Sequence, residues 1–241
     1  MVTLSVASKS ETSRLAPWRT GLWRWHLPQG TGIVAGVTDR TGDLQVVRHQ
    51  LGAAGRLIVQ TEQVHGASVA AVEADSPSLQ PIPGCDALVT QRPGIALTMH
   101  TADCLPLVFW DPTQRVIGLA HVGWRGLVRA LPSRVVSVMA QSYRSHPDDL
   151  WVAIGPAIRP CCHDVGPTFP VSLHPFVQEH GGRRVCDLVA CARHQLSTAR
   201  VRSDRILDSG QCTACQPLRW YSVRREGEQT GRLVSFIMLH S

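Results

Sequence analysis

"CDALVTQRPGIALTMHTADCLPLVFWDPTQRVIGLAHVGW", residues 85–124, holds four apolar runs separated by Arg-Pro-Gly, Thr-Ala-Asp-Cys and Asp-Pro-Thr. Short apolar runs bounded by Gly, Pro and Asp read as strands joined by tight turns, so this stretch is the strand-dense heart of the chain. His100, Asp103 and Cys104 interrupt it, at the hinge between two runs that otherwise read as buried strand. A free cysteine is by default a small buried hydrophobe. An acid and a thiol side by side in a core need another reason, and it has to come from the rest of the sequence.

Upstream, "GIVAGVTDRTGD" has an apolar run ending in a polar turn, and "GRLIVQTEQVHGASVAAVE" has two short apolar runs flanking His65-Gly66. Downstream the period changes. Leu131, Val135, Val138 and Met139 recur at helical intervals, with Pro132 tolerable in a first turn, so a helix is expected after His121, ending near "SHPDD". "LWVAIGPAI" reads as another buried strand, and "PVSLHPFVQEHGG" and "CDLVACARHQLSTARV" as helices, the second with Leu188, Val189, Ala192 and Leu196 on one stripe. "LRWYSVRREGEQTGRLVSFIML" reads as two strands around a charged turn. Mixed strand and helix content with segregated helices predicts a single α/β domain over residues 1–241, either α+β or a layered α/β/α domain with a mixed sheet. Residues 1–30, with three tryptophans and little periodicity, are expected to form a peripheral strand or a loosely packed arm.

The chain of 241 residues is 44% hydrophobic, enough for a sizeable core. "MVTLSVASKSETSR" lacks the unbroken apolar core of a signal peptide, and no run is long enough to span a bilayer, so a cytoplasmic protein without a membrane partner is expected. Eight cysteines, single or in close pairs, then suggest reduced thiols or metal ligands rather than a disulfide framework. The formal charge of +6 rests on arginine, since Lys9 is the sole lysine. A basic surface attracts anions, yet the arginines form no dense run and no aromatic RNP-like motif accompanies them, which argues against nucleic acid.

Three turns carry the candidate chemistry: "TEQVHG" with His65, "TADC" with Cys104 and "LAHVGWRG" with His121. Each ends an apolar run, so neighbouring strands would bring all three side chains to one rim. Two imidazoles and a thiolate suit zinc, and three protein ligands with an open position define a catalytic rather than a structural site. The same atoms admit a second mechanism, in which His121 lowers the pKa of Cys104 and the thiolate attacks an acyl carbon, with Asp103 orienting an imidazole or accepting a proton. Arg125 in "GWRG" and Arg40 in "GVTDRTGD" are candidate phosphate ligands, because a guanidinium fork matches phosphate oxygens with paired hydrogen bonds. "CTAC" at 212–215 has metal-knuckle spacing, but without a second CxxC it reads as structural packing. Cys161-Cys162 follows a strand and precedes "HDVG", a candidate for lining the pocket.

The segments "TEQVHG", "CDALVT", "TADCLPLVFWD", "VIGLAHVGWRG", "AIGPAIRPCCHDVG", "QCTAC" and "WYSVRREGEQTGRLVSFIML" occur in the order seen in the YfiH family. Members of that family are described variously as laccase-domain proteins, polyphenol oxidases, purine nucleoside phosphorylases and peptidoglycan-editing factors. The resemblance covers about Gly36 to Leu239. It implies a layered fold similar to the catalytic domain of cytotoxic necrotizing factor, with His65, Cys104 and His121 as zinc ligands, Asp103 beside them, and arginines such as Arg40 and Arg125 near substrate. It further implies phosphorolysis of adenosine, inosine and methylthioadenosine, hydrolytic deamination of adenosine, and purine nucleosides and phosphate as partners.

The chain also departs from the family pattern. The usual N-terminal "GGVS…SLNLG" loop and the Asn-Arg helix after it are replaced by the shorter "DRTGDLQVVRHQLGAAGRL", and the chain has no asparagine; His163 and Asp164 stand where Tyr and Glu are common. Two other readings accompany the nucleoside one: a cysteine hydrolase using Cys104 to edit an amino acid from a peptidoglycan precursor, and, motivated by the short N-terminal loop, a non-catalytic binding protein of the same fold. Multicopper laccase chemistry is disfavoured, because none of the eleven histidines forms a His-X-His pair, although a lone His2Cys site would bind copper adventitiously.

Overall fold

A computed structural model of the chain describes residues 15–29, 32–52, 57–73 and 80–240. Twelve of its strands form two six-stranded sheets. The first runs, in spatial order, Leu15–Arg19, Leu22–Trp25, Ile33–Thr38, Leu233–Leu239, Ile95–Thr101, Leu57–Gln60. The second runs Ile206–Asp208, Trp151–Ile154, Leu105–Asp111, Val116–Val122, Ala87–Thr90, Val69–Ala71. Both are mixed, with mostly antiparallel ladders and parallel pairs at the edges. The expected α/β class is therefore observed, with two stacked sheets in place of one.

The strands of residues 105–111 and 116–122 are buried at every position because each face has its own cover. Side chains alternate across a strand, and here Leu105, Leu107 and Phe109 face a helical layer while Val108 and Trp110 face the other sheet. Helices Leu131–Tyr143 and Leu188–Thr198 supply that layer, and helix Leu44–Gln50 covers the outer face of the first sheet. The order of layers is thus helix, sheet, sheet, helix. Uninterrupted apolar runs in the sequence are the signature of strands with no wet face.

Local chemistry sets most element ends. Asp43 and Asp187 cap their helices by accepting backbone N–H bonds. Asp111 accepts from the N–H groups of Thr113 and Gln114, which makes the Asp-Pro-Thr segment a turn. The helix expected after His121 is divided into Trp124–Val128 and Leu131–Tyr143, with Ala130 left-handed between them and Pro132 in the first turn of the second.

Two expectations are corrected. "PVSLHPFVQEHGG" is a short 3-10 turn, Val171–Phe176, followed by strand Val177–His180, which pairs with Arg183–Cys186. Pro175 stops a helix from propagating there, and Gly181 and Gly182, both at positive φ, close a hairpin instead. In the C-terminal segment the first of the two expected strands is a single helical turn, Val223–Glu226, capped by Ser222. Of the expected N-terminal arm, residues 15–25 form an edge hairpin of the first sheet with Trp25 buried, whereas residues 1–14 and 30–31 lie outside the described residues.

Leu119 is buried in the layer between the sheets. Leu119→Ala is expected to cost roughly 2–5 kcal/mol in urea unfolding, while Leu218→Ala, at a side chain 96% exposed, should stay within about 0.5 kcal/mol of the parent.

Candidate functional site

The 61–68 segment leaves the first sheet and enters the second, and Gln63 ties it to the first sheet as it leaves. Gln63 donates to the His100 carbonyl at 2.6 Å and accepts from the His100 N–H at 2.8 Å, extending the ladder beyond the strand end. Gln63 and His65 both take left-handed backbone conformations, φ 60° and 58°, which turns the chain sharply and sets the His65 imidazole toward the second sheet. There the 105–111 and 116–122 strands pair Leu105 with Val122 and Pro106 with His121, so Cys104 lies just past the paired end, opposite Gly123.

These placements bring the ligand atoms of His65, Cys104 and His121 within 4.8 Å of one another. Cys104 Sγ is 3.9 Å from His65 Nε2, and the two imidazoles stand edge to face with centroids 4.7 Å apart. A Cβ added at Gly123 would lie 3.0 Å from the Cys104 sulfur and 3.3 Å from His65, so the glycine leaves the space that the cluster occupies.

Asp86, from "CDALVT", organises the group and was not singled out from the sequence. Fully buried, its Oδ1 lies 2.9 Å from His121 Nδ1 and accepts from the His65 N–H at 3.0 Å, and its Oδ2 accepts from the Gly66 N–H at 2.6 Å. A buried carboxylate with three donors is held ionised: burial works to raise its pKa, but the bonds from His121, Gly66 and His65 hold it below the usual carboxylate range. With Nδ1 bound to Asp86, His121 has Nε2 left for a ligand, the arrangement in which a carboxylate fixes the tautomer of a metal-binding histidine.

The same bonds act on the thiol. Burial opposes ionisation of Cys104, yet hydrogen bonds and charge from His121 and His65 bring its pKa down to about 7. Burial likewise opposes the charged form of His121, and Asp86 with Cys104 raises it to about 9. Between those values the metal-free pair is thiolate and imidazolium.

The cluster lines a cavity of about 930 Å³, together with Asp103, Arg125, His163, Arg224, Glu228 and Arg232 among others. Asp103 has φ 91°; its Oδ1 accepts from the Thr213 hydroxyl at 2.6 Å and its Oδ2 from the Arg224 N–H at 2.7 Å. Arg125 lies over the Trp124 ring, 4.4 Å from its centroid. Arg40 is not brought to the cavity: it pairs with Glu226, donates to the Pro217 carbonyl at 2.8 Å and stacks on Tyr221. Arg224 and Arg232 line the cavity instead. The "VRREGEQTGR" run offered these cations in the sequence, but nothing local to it shows that the Val223–Glu226 turn folds back over the site.

Residues 36–240 match the family model described as multi-copper polyphenol oxidoreductase laccase. The chain belongs to this laccase-domain, YfiH-type family. Purine nucleoside phosphorylase YlmD of Geobacillus stearothermophilus is 36% identical over 73% of this chain and 70% of its own length. The YlmD crystal structure superimposes with a TM-score of 0.87, covering 95% of this chain and all of that one. Purine nucleoside phosphorylase YfiH of Escherichia coli is 31% identical over 83% of each chain. Adenosine deaminase RL5, from an unknown prokaryotic organism, is 30% identical over 76% of this chain and 75% of its own length. Among the described residues, no helix is long and apolar enough to cross a membrane.

In chelator-treated protein the alkylation rate of Cys104 should climb as pH rises through about 7, more than a unit below an ordinary thiol. His121→Ala removes the leading bond that offsets burial and should move the midpoint upward. Peptide mass spectrometry after timed iodoacetamide treatment measures both; equal midpoints in the two proteins would contradict the pairing.

Proposed function

We propose that the protein is a zinc-dependent purine nucleoside phosphorylase with adenosine deaminase activity. The observation that carries this reading is the convergence of His65, Cys104 and His121 at the wall of a cavity that also presents Arg125, Arg224 and Arg232. The donor set fits the ion. Zinc bonds of about 2.3 Å to sulfur and 2.0–2.1 Å to nitrogen put tetrahedral S···N edges at roughly 3.5 Å, and Cys104 and His65 stand at 3.9 Å with Asp86 already fixing the tautomer of His121. Bound there, zinc would polarise a substrate oxygen or acidify a water molecule. The family description names copper, but among the described residues the two clusters able to hold an ion are this His2Cys set and a group of four cysteines, neither being the histidine-rich arrangement of a multicopper centre.

The remaining roles belong to the chain's own side chains. In phosphorolysis a phosphate oxygen forms a bond to C1′ of the ribose as the bond from C1′ to the purine nitrogen breaks, and the base leaves with a proton. Arg125, Arg224 and Arg232 supply the positive wall that holds and orients phosphate. Ile158, Leu188 and Val223 give the cavity an apolar side for the purine. Burial lowers the pKa of both His100 and His163, so each faces a substrate as a neutral imidazole able to hydrogen-bond hydroxyls or ring nitrogens. Asp103, with both oxygens already accepting bonds, fits holding the turn before Cys104 better than relaying a proton. Cytoplasmic residence belongs with this reading, since free nucleosides and phosphate meet there.

One observation favours a second reading. The lowered pKa of Cys104 beside a raised His121 is the ion pair of a cysteine nucleophile, as an amide-editing hydrolase would need. Zinc and nucleophile compete for the same sulfur, so metal content separates the two readings.

Purified protein incubated with adenosine, inosine or methylthioadenosine should release adenine, hypoxanthine or methylthio-sugar with adenine only when phosphate is present, and should convert adenosine to inosine without it. Chromatography of the products reads both. Cys104→Ala is expected to lose on the order of 10³-fold in each rate, and Arg232→Ala to raise the KM for phosphate more than it lowers kcat. Zinc-loaded protein that releases no base from any of the three nucleosides ends this reading.

Asp86→Asn keeps the shape but turns one acceptor into a donor facing an N–H. It should weaken zinc affinity about 10–100-fold, measured by competition with a chromophoric chelator.

A further inference from the structure

Four cysteines outside the cavity remain unused by this chemistry. The sulfurs of Cys161, Cys162, Cys212 and Cys215 lie within 4.8 Å of one another, with Cys161–Cys212 at 3.6 Å, Cys161–Cys215 at 3.5 Å and Cys162–Cys215 at 3.3 Å. We propose that these four cysteines form a second, closed metal site that holds a zinc ion as a structural tetrathiolate.

The geometry separates this from two plainer explanations. A packing role suits buried thiols, but Cys161 and Cys215 are exposed. A disulfide draws two sulfurs to about 2.03–2.05 Å and leaves the others out, whereas here Cys161 and Cys215 each contact two other sulfurs. Zinc–sulfur bonds of about 2.3 Å place tetrahedral S···S edges at roughly 3.8 Å, a few tenths of an ångström longer than the three contacts and inside the 4.8 Å that bounds all four sulfurs.

The two halves are also held in place independently of any ion. Arg159 pairs with Asp208 through both nitrogens, at 2.9 and 2.5 Å, and donates to the Gln211 carbonyl. Ala157 forms an isolated bridge to Cys212, and the turn carrying Cys161-Cys162 closes on the Arg159 carbonyl. Three further arginines bond carbonyls of the knuckles: Arg183 that of Cys161, Arg224 that of Cys162, and Arg225 those of Thr213 and Ala214. Four thiolates around one divalent cation carry a net charge of minus two; Arg159, Arg183 and Arg225 are paired with Asp208, Asp164 and Glu226, and the guanidinium of Arg224 on the Cys162 carbonyl adds positive charge beside the cluster. Binding would release the thiol protons to solvent. "CTAC" thus finds its partner in two adjacent cysteines rather than in a second CxxC.

The test uses the full chain purified from zinc-supplemented medium, with elemental analysis of wild type, Cys104→Ala and Cys215→Ser. The expected pattern is zinc retained in Cys104→Ala and one equivalent fewer in Cys215→Ser than in wild type. Replacing the ion of the Cys104→Ala protein with cobalt should give intense thiolate-to-cobalt charge-transfer absorption and tetrahedral d–d bands, a readout that survives if Cys215→Ser fails to fold. A Cys104→Ala protein that carries no zinc and gives no such spectrum overturns the proposal. So does an intact mass two hydrogens below the reduced value with a disulfide mapped within the four. Because Cys104→Ala removes a ligand of the His65 site, wild-type protein that carries no more zinc than Cys104→Ala, with that zinc lost in Cys215→Ser, upholds this proposal while sinking the zinc-dependent reading of the cavity.

Discussion

The buried carboxylate of Asp86 is the constraint on which the cavity depends. An ion taken out of water loses several kcal/mol even after relaxation, and each charge-assisted bond returns about 1.5–3 kcal/mol. The three such bonds present together offset a loss of that size. They come from two different segments, the 64–66 turn and the 116–122 strand. Ionised Asp86 thereby joins the crossover between the sheets to the second sheet, and in the same act sets the distance between two imidazoles.

Strand register then completes what the carboxylate begins. The antiparallel ladder ends at Leu105 and Val122, so the next residues on either side, Cys104 and Gly123, are opposed where no ladder bond constrains them. Any side chain at position 123 would compete with the sulfur for space. The first sheet contributes through Gln63, whose amide ties the His65 turn to the end of the 95–101 strand. Two sheets stacked face to face can present residues from both at one end, which a single sheet with helices on each side does not do.

Much of this was legible in the sequence, and the failures have identifiable causes. His65, Cys104 and His121 stood out because each polar group breaks an apolar run at a strand end, where a side chain reaches solvent. Asp86 did not, because an acid after a cysteine and before a strand looks like any turn residue; its significance lies in donors 20 and 35 positions away. Arg40 and Arg224 show the same limit, since both lie in polar turns and only tertiary folding decides which one faces the cavity. The doubled sheet was hidden because a strand covered by a sheet and a strand covered by helices have the same apolar pattern. In "PVSLHPFVQEHGG" a weak helical spacing points to a helix, and Pro175 with the Gly181-Gly182 pair decides for a turn and hairpin.

Asp103 connects the two cysteine-bearing regions. Its left-handed backbone, costly for a residue with a Cβ, persists only where the surroundings over-determine it. Here the surroundings are the hydroxyl of Thr213, the N–H of Arg224 and the N–H of Ile158 on its carbonyl. Thr213 stands inside the "CTAC" turn, and Arg224 is bonded to the Cys162 carbonyl. The backbone conformation just before Cys104 is thus tied, through one carboxylate, to the loop that carries Cys212 and Cys215. A closed site beside the cavity would in this way bear on the geometry of the open one.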